Sequence, residues 1–290
     1  MHQSMTSVSK LGLLSLAFVL PAIAATPFPG LSLTPPALVS FEASTEPDRE
    51  GRHTFSASAG DIVVLTLETP PGERQACYPE MVDGGRFSPV GSTIRPTPNS
   101  ESLVIEIEES GDFQYQLMPL RRFSLGDTGS APMDQPLADP ASHGCKVTAR
   151  LGSETEKNWA IANRLIEDYS GPEQSLELYR QVLATQPASP EPYENYVGLL
   201  ISLSFRDQPT VDARDPEALG QMFLGLPDDM RSELIGGLRQ LADIYEANPD
   251  WESRWGNDLV VTPTLLQEYA SYVETGVASD LMKSVMFSEQ

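Results

Sequence analysis

Asp127-Thr128-Gly129-Ser130 is a pattern in which an aspartate at the end of a buried strand could share one proton with a second aspartate and activate water. That chemistry needs both carboxylates. The residues before it, Phe123-Ser124-Leu125-Gly126, make a poor strand, and the chain beyond residue 24 holds no second copy, which only dimerisation could supply. The pattern therefore reads as a chance match in a loop rich in Gly, Ser and Pro. His143 and Cys145 stand at H-x-C spacing, half of a zinc site whose other ligands come from nowhere obvious. Ser7 to Lys10 spells S-x-x-K, but inside a segment that reads as a leader. After that leader the histidines are His53 and His143, and the sequence lacks G-x-S-x-G, H-E-x-x-H and a phosphate loop. Paired Asp and Glu side chains could support glycoside hydrolysis, which depends on a separation that sequence does not give. No catalytic residue, metal ligand set or cofactor is expected, and an enzyme is the minority reading.

What must be positioned, then, is a binding surface. Lys10 precedes the apolar run Leu11 to Leu20, followed by Pro21 and a small-residue site at Ala22-Ile23-Ala24, which reads as a signal peptide over residues 1–24. A periplasmic or secreted protein follows, with no transmembrane segment in the mature chain. In such a compartment Cys77 and Cys145, the two cysteines of the chain, are expected to form one disulfide. Closing the loop between them would stabilise the fold by about 4 kcal/mol in the chain-entropy model. A net charge of −22 argues against nucleic acid and anionic membranes as partners. The excess is largest in residues 151–290, with 24 acidic against 9 basic side chains, which reads first as a solubility device on a secreted surface and, functionally, as a face for basic proteins or weakly held cations.

Residues 25–37 form an N-terminal segment, and from residue 38 to residue 151 the pattern has period two. Phe55 and Ala57 alternate with polar residues up to the turn Ala59-Gly60-Asp61, and Ile62 to Leu67 reads as a well-buried strand. Leu103, Ile105 and Ile107 face one way with Glu106 and Glu108 opposite; after Glu109 to Asp112, Phe113, Tyr115 and Leu117 resume, which predicts a β-hairpin with one wet face. A last strand is expected from Cys145 to Leu151. HTFSASAGDIVVLTL and IEESGDFQYQL resemble the opening Y-x-F-x-x-x-A-G-D and the closing G-x-Y-x-x-x-V of the bacterial pre-peptidase C-terminal domain. That resemblance, over roughly residues 38–118, implies a jelly-roll-like β-sandwich that assists substrate or matrix binding, in some members with calcium. The aspartate-rich segment of that family is replaced here by CYPEMVDGGRFSPVGS, in which Asp83 alone survives as an obvious carboxylate. Asp61 and Asp112 read as turn residues.

Residues 152–290 change to helical period. Trp159, Ala162, Asn163 and Ile166, then Ser175, Tyr179 and Pro187, fall at the spacing of the tetratricopeptide repeat, a helical hairpin of about 34 residues that the stretch resembles. Pro190-Glu191-Pro192 opens a further helix bearing Tyr193, Tyr196, Leu199, Leu200 and Leu203. Its partner, carrying Gly237, Leu241, Ile244 and Pro249, is delayed by Asp207 to Asp228, which itself holds a short helix, Pro216 to Leu224. Thr264 to Gln267 reads as a capping box that starts a terminal helix through Val273. The resemblance implies that first helices line a concave face for peptides or proteins; transferred here, it points to Lys157, Arg164, Glu167, Glu191 and Glu194 as partner-binding, with Trp159, Ser175, Tyr179 and Pro187 as repeat core.

The expectation is an α+β two-domain protein, an N-terminal jelly-roll-like β-sandwich followed by an all-α helical-repeat module. Its expected role is that of an exported interaction protein docking a protein partner in the cell envelope. The alternative is an accessory protein that binds polysaccharide or matrix through the sandwich.

Overall fold

The alternation in residues 52–119 and 146–151 produces seven strands, because side chains of opposite polarity can then be sorted to opposite faces of a pleated sheet. The computed structural model describes residues 49, 51–68, 77–119, 145–206, 211–212, 214–251, 254–255 and 259–287. The leader, the N-terminal segment, Asp127 to Ser130 and His143 lie outside the described residues. β1 (Arg52–Ala57), β2 (Ile62–Glu68), β3 (Cys77–Asp83), β4 (Phe87–Pro89), β5 (Ser100–Ile107), β6 (Gly111–Pro119) and β7 (Lys146–Leu151) form two antiparallel sheets, ordered β1-β6-β3 and β4-β5-β2-β7.

The two sheets pack face to face. Phe55 and Ala57 of β1 and Phe113 and Tyr115 of β6 meet Val63 and Leu65 of β2 and Ile105 and Ile107 of β5. Phe55 stacks on Phe113 with ring centroids 5.3 Å apart. Cys77 and Cys145 are disulfide-bonded and tie β3 of one sheet to the residue that leads into β7 of the other, over Leu67 and Leu117.

The expected hairpin between residues 103 and 117 is not formed. β5 pairs with β2 and β4, β6 pairs with β1 and β3, and Glu108 to Ser110 carry the chain from one sheet to the other. The reason is geometric. Two consecutive alternating runs can lie side by side in one sheet or face each other across a core, and both arrangements bury the same residues. Gly60 and Ile107 decide it here: the Gly60 N–H donates to the Ile107 carbonyl and the Ile107 N–H to that of Asp61, locking the ends of β2 and β5 together.

Seven helices follow among the described residues: α1 (Glu154–Glu167), α2 (Pro172–Ala184), α3 (Glu191–Arg206), α4 (Pro216–Leu224), α5 (Asp228–Ala247), α6 (Pro263–Thr275) and α7 (Asp280–Met286), with a two-stranded ribbon of β8 (Arg254–Trp255) and β9 (Leu259–Val260) before α6. Ser153 and Glu156 close a reciprocal cap at the start of α1, satisfying two otherwise orphaned backbone donors. α1 packs on α2, and the interrupted partner α5 packs on α3, with Gly237 where Tyr196 and Val197 come within 3.2–3.6 Å of any added Cβ. The start of α6 lies earlier than the sequence suggested. Thr262, rather than Thr264, caps it by accepting from the Leu265 N–H, because Pro263 at the first helical position needs no donor partner. α6 is also not terminal, since α7 follows it.

The helices and the second sheet share one apolar core. Ile62, Val64, Val90, Ile94 and Val104 cluster with Trp159, Ala160, Ala162 and the inner faces of α2 to α6. This is why β2 is buried on both sides and reads IVVLTL, with Thr66 as its one polar residue before Glu68. The described residues belong to one compact unit.

Candidate functional site: the joint between sandwich and helices

The residues linking β4 to β5 have the composition of a loop, VGSTIRPTPN, yet Val90 and Ile94 bond to the sheet edge on either side of a bend at Gly91 and Ser92. On one side the Val90 N–H donates to Val104, and Ile94 exchanges both backbone bonds with Ser102. On the other side the segment meets α1 and α3, and its outward backbone groups are satisfied there. The Ser92 N–H donates to the Ala160 carbonyl at 3.0 Å; the Thr93 carbonyl accepts from Asn163 Nδ2 at 2.8 Å. The Arg95 carbonyl accepts from Ser189 Oγ at 2.6 Å, and the Arg95 N–H donates to Glu191 Oε2 at 2.8 Å. An open edge that would otherwise invite pairing is thus covered by helix side chains. Gly91 permits the approach: a Cβ there would lie 2.0 Å from the Ala160 carbonyl oxygen.

Behind this contact the polar groups form a chain. Asn163, 5% exposed, spends its amide nitrogen on Thr93 and its oxygen on Tyr179 Oη (2.6 Å) and Asn195 Nδ2 (3.2 Å). Burial holds the Tyr179 phenol far above its ordinary value, so it remains a donor. Burial also raises the Glu191 carboxyl, to about 7, against the opposing pull of the Arg95 N–H, the Arg95 charge and Asn163, and with the help of Glu194. One turn on, Glu194 accepts from Trp251 Nε1 at 2.8 Å and from Tyr245 Oη, while the Arg95 guanidinium lies 4.6 Å above the Trp251 ring.

Four of the five side chains expected to meet a partner are committed within the chain. Lys157 pairs with Glu106 of the sandwich at 3.0 Å, Glu167 accepts from Ser92 Oγ, Glu191 holds Arg95, and Glu194 holds Tyr245 and Trp251. Arg164 is exposed. Of the residues expected to form a repeat core, Trp159, Ser175 and Tyr179 are buried, Ser175 Oγ donates to the Ala162 carbonyl at 3.0 Å, and Pro187 follows α2. Asp61 accepts from the Ser58 N–H in its own turn, Asp112 from Ser56 Oγ on the paired strand, and Asp83 from the Gly84 N–H.

Sequence reasoning missed Ser92, Thr93, Arg95, Ser189, Asn195, Tyr245 and Trp251. The one available signal was Asn163, an amide at a position whose spacing demands burial, which implies polar partners inside. Chemically the joint recognises extended main chain through amide, hydroxyl and carboxylate groups, and it contains one carboxyl that titrates near neutrality. Among the described residues no group of three or more His, Cys, Asp and Glu is placed to hold a metal ion, and no helix is long and apolar enough to cross a membrane. No family model, curated protein or solved structure matches this chain.

Proposed function

We propose that the chain is an exported, non-enzymatic interaction protein whose helical half, a short tetratricopeptide-like stack, docks a protein partner in the cell envelope. The observation that carries this reading is a group of large apolar side chains left in water around α4, α6 and α7, beside others elsewhere such as Tyr169 and Val260. Leu224 at the end of α4, Val277 in the turn after α6, and Leu281 and Met286 on α7 are all exposed, Val277 by 71%. Leu224 packs beside Gly276, which precedes Val277, so these two sit together where α4 meets the end of α6, with α7 following. An exposed apolar end on a strongly acidic module suits a protein with an apolar knob and a basic rim. The inner face of the first helical pair is already filled by residues 91–95, so recognition belongs to the end of the stack.

The test is capture from native envelope extract by the mature chain and by a Leu224→Asp, Leu281→Asp variant. One partner retained by the first and lost by the second supports the reading; equal capture by both overturns it.

A second reading rests on the other sheet. On the outer face of β1-β6-β3, a jelly-roll-like sandwich in this proposal, Arg52, Gln116 and Glu80 form one cross-strand row and Thr54, Gln114 and Asp83 the next, beside Tyr78. Arg52 Nη1 reaches Gln114 Oε1, and Gln116 Nε2 reaches Glu80, each at 3.5 Å. Planar amide and guanidinium groups on a flat sheet suit the paired hydroxyls of a polysaccharide. Retention on insoluble polysaccharide that is lost in Gln114→Ala, Gln116→Ala would favour it over the first reading.

A further inference from the structure

β7 ends the sheet β4-β5-β2-β7, and its register shows which of its backbone groups face outward. The Gly152 N–H donates to the Ile62 carbonyl, so the positions bonded to β2 are Gly152, Arg150, Thr148 and Lys146. The N–H and C=O groups of Val147, Ala149 and Leu151 therefore point away from β2. Among the described residues no backbone group meets them; the Leu151 carbonyl accepts from Arg150 Nη1 at 3.1 Å, which leaves it a second lone pair. Elsewhere the edges are guarded. Helix side chains cover residues 90–95 beyond β4, and β3 carries Pro79 and a register shift between Met81 and Asp83. β7 has neither proline nor bulge, and its pairing with β2 runs unbroken from Lys146 to Leu151. Its two cations are spent inside the chain, Lys146 on Glu68 at 3.2 Å and Arg150 on Glu156. Its inner side chains, Val147, Ala149 and Leu151, are only half-buried, whereas Val63, Leu65 and Leu67 beside them on β2 are fully buried.

We propose that β7 pairs with β7 of a second copy of this chain, antiparallel about a two-fold axis at Ala149, joining the two four-stranded sheets into one. The occupant follows from the strand's own register. With Ala149 opposite Ala149, the outward groups of Val147 meet those of Leu151 in the second copy, and every outward N–H finds a carbonyl. On the inner face Val147 and Leu151 become cross-strand neighbours, apolar against apolar. On the other face Thr148 stands opposite Arg150 and Lys146 opposite Gly152, so no cation directly faces another. A charged foreign strand, by contrast, meets no unpaired charge on β7 to answer it. Both copies use the same edge, so the pairing closes at a dimer. It leaves the helical end of the molecule untouched and does not depend on what docks there.

The experiment is sedimentation equilibrium of the mature chain at about 0.15 M salt, where repulsion between the acidic copies is screened beyond about 8 Å. Amide exchange is read alongside at Val147, Ala149 and Leu151. A dimer is expected, in which these amides gain at least about tenfold protection from dilute to concentrated samples, while Thr148 and Arg150 are protected in both. Ala149→Pro removes an outward donor and no bond to β2, and should weaken the dimer at least about tenfold. Three results overturn the proposal: a monomer at about 100 μM, a dimer whose outward β7 amides exchange alike at every concentration, or an Ala149→Pro dimer as tight as wild type. Should Ala149→Pro fail to fold, the wild-type exchange at Val147, Ala149 and Leu151 decides.

Discussion

The sheet β4-β5-β2-β7 is covered on both faces, by the opposing sheet and by α1 with its neighbours, whereas β1-β6-β3 buries its inner face and carries polar side chains such as Gln114 and Gln116 on the outer one. The inner faces are built alike, from alternating Phe, Tyr, Ile, Val and Leu. The outer faces differ because one sheet serves as the floor of the helical core. Val64 and Val104 stand where the open sheet has Gln and Thr, and Thr66 and Ser102, buried polar residues on that floor, bond each other at 2.8 Å. A sheet covered on both sides couples two modules that composition alone separates. Substitutions on the two outer faces should accordingly have very different costs.

The largest effect is expected at Trp159, which is 4% exposed and packs into the shared core, its indole N–H without an acceptor among the described residues. Trp159→Ala should cost about 3–5 kcal/mol in denaturant unfolding and lower the stability of sheet and helices together. Removing the disulfide with Cys77→Ser and Cys145→Ser should cost about 2–5 kcal/mol, with exchange rising first where β3 and β7 begin. Asn163→Ala leaves Thr93, Tyr179 and Asn195 short of a partner and should cost about 1–3 kcal/mol, with Ser92 and Arg95 amides losing protection before those of β5. On the open face, Gln116→Ala should stay within about 0.5 kcal/mol of wild type, as surface changes usually do. A cost at Gln116 comparable to that at Asn163 would erase the contrast between the sheets.

Much of this architecture can be read from residue order. Period two in Phe55 to Leu67 and Leu103 to Leu117 gives strands, helical period from Trp159 to Leu203 gives α1 to α3, and the export reading pairs Cys77 with Cys145. The crossing at Glu108 to Ser110 is not legible, because inward-facing side chains alternate identically whether two strands pair in one sheet or oppose each other across a core. Nor is the joint. Gly91, Ser92, Thr93 and Pro96 have the composition of a loop, and the path of the segment is set by Ser102, which bridges Ile94 on one side, and by Asn163, Ser189 and Glu191 on the other, tens of residues away. The nearly continuous apolar run at Ile62 to Leu67, broken by Thr66, marked the doubly covered strand without saying what covered it. Glu191 and Glu194 could be assigned to a helix face, and only packing turns that face inward against Arg95 and Trp251.

The central claim is that the sandwich and the helices are one cooperative structure joined through β2, residues 90–95 and α1. Native-state hydrogen exchange across a urea series, comparing β2 amides with those of α3, tests it most directly. One shared unfolding free energy and urea dependence for both elements is the predicted result. Separate transitions, with α3 exchanging at a urea concentration where β2 remains fully protected, would contradict it and leave two independent modules on one chain.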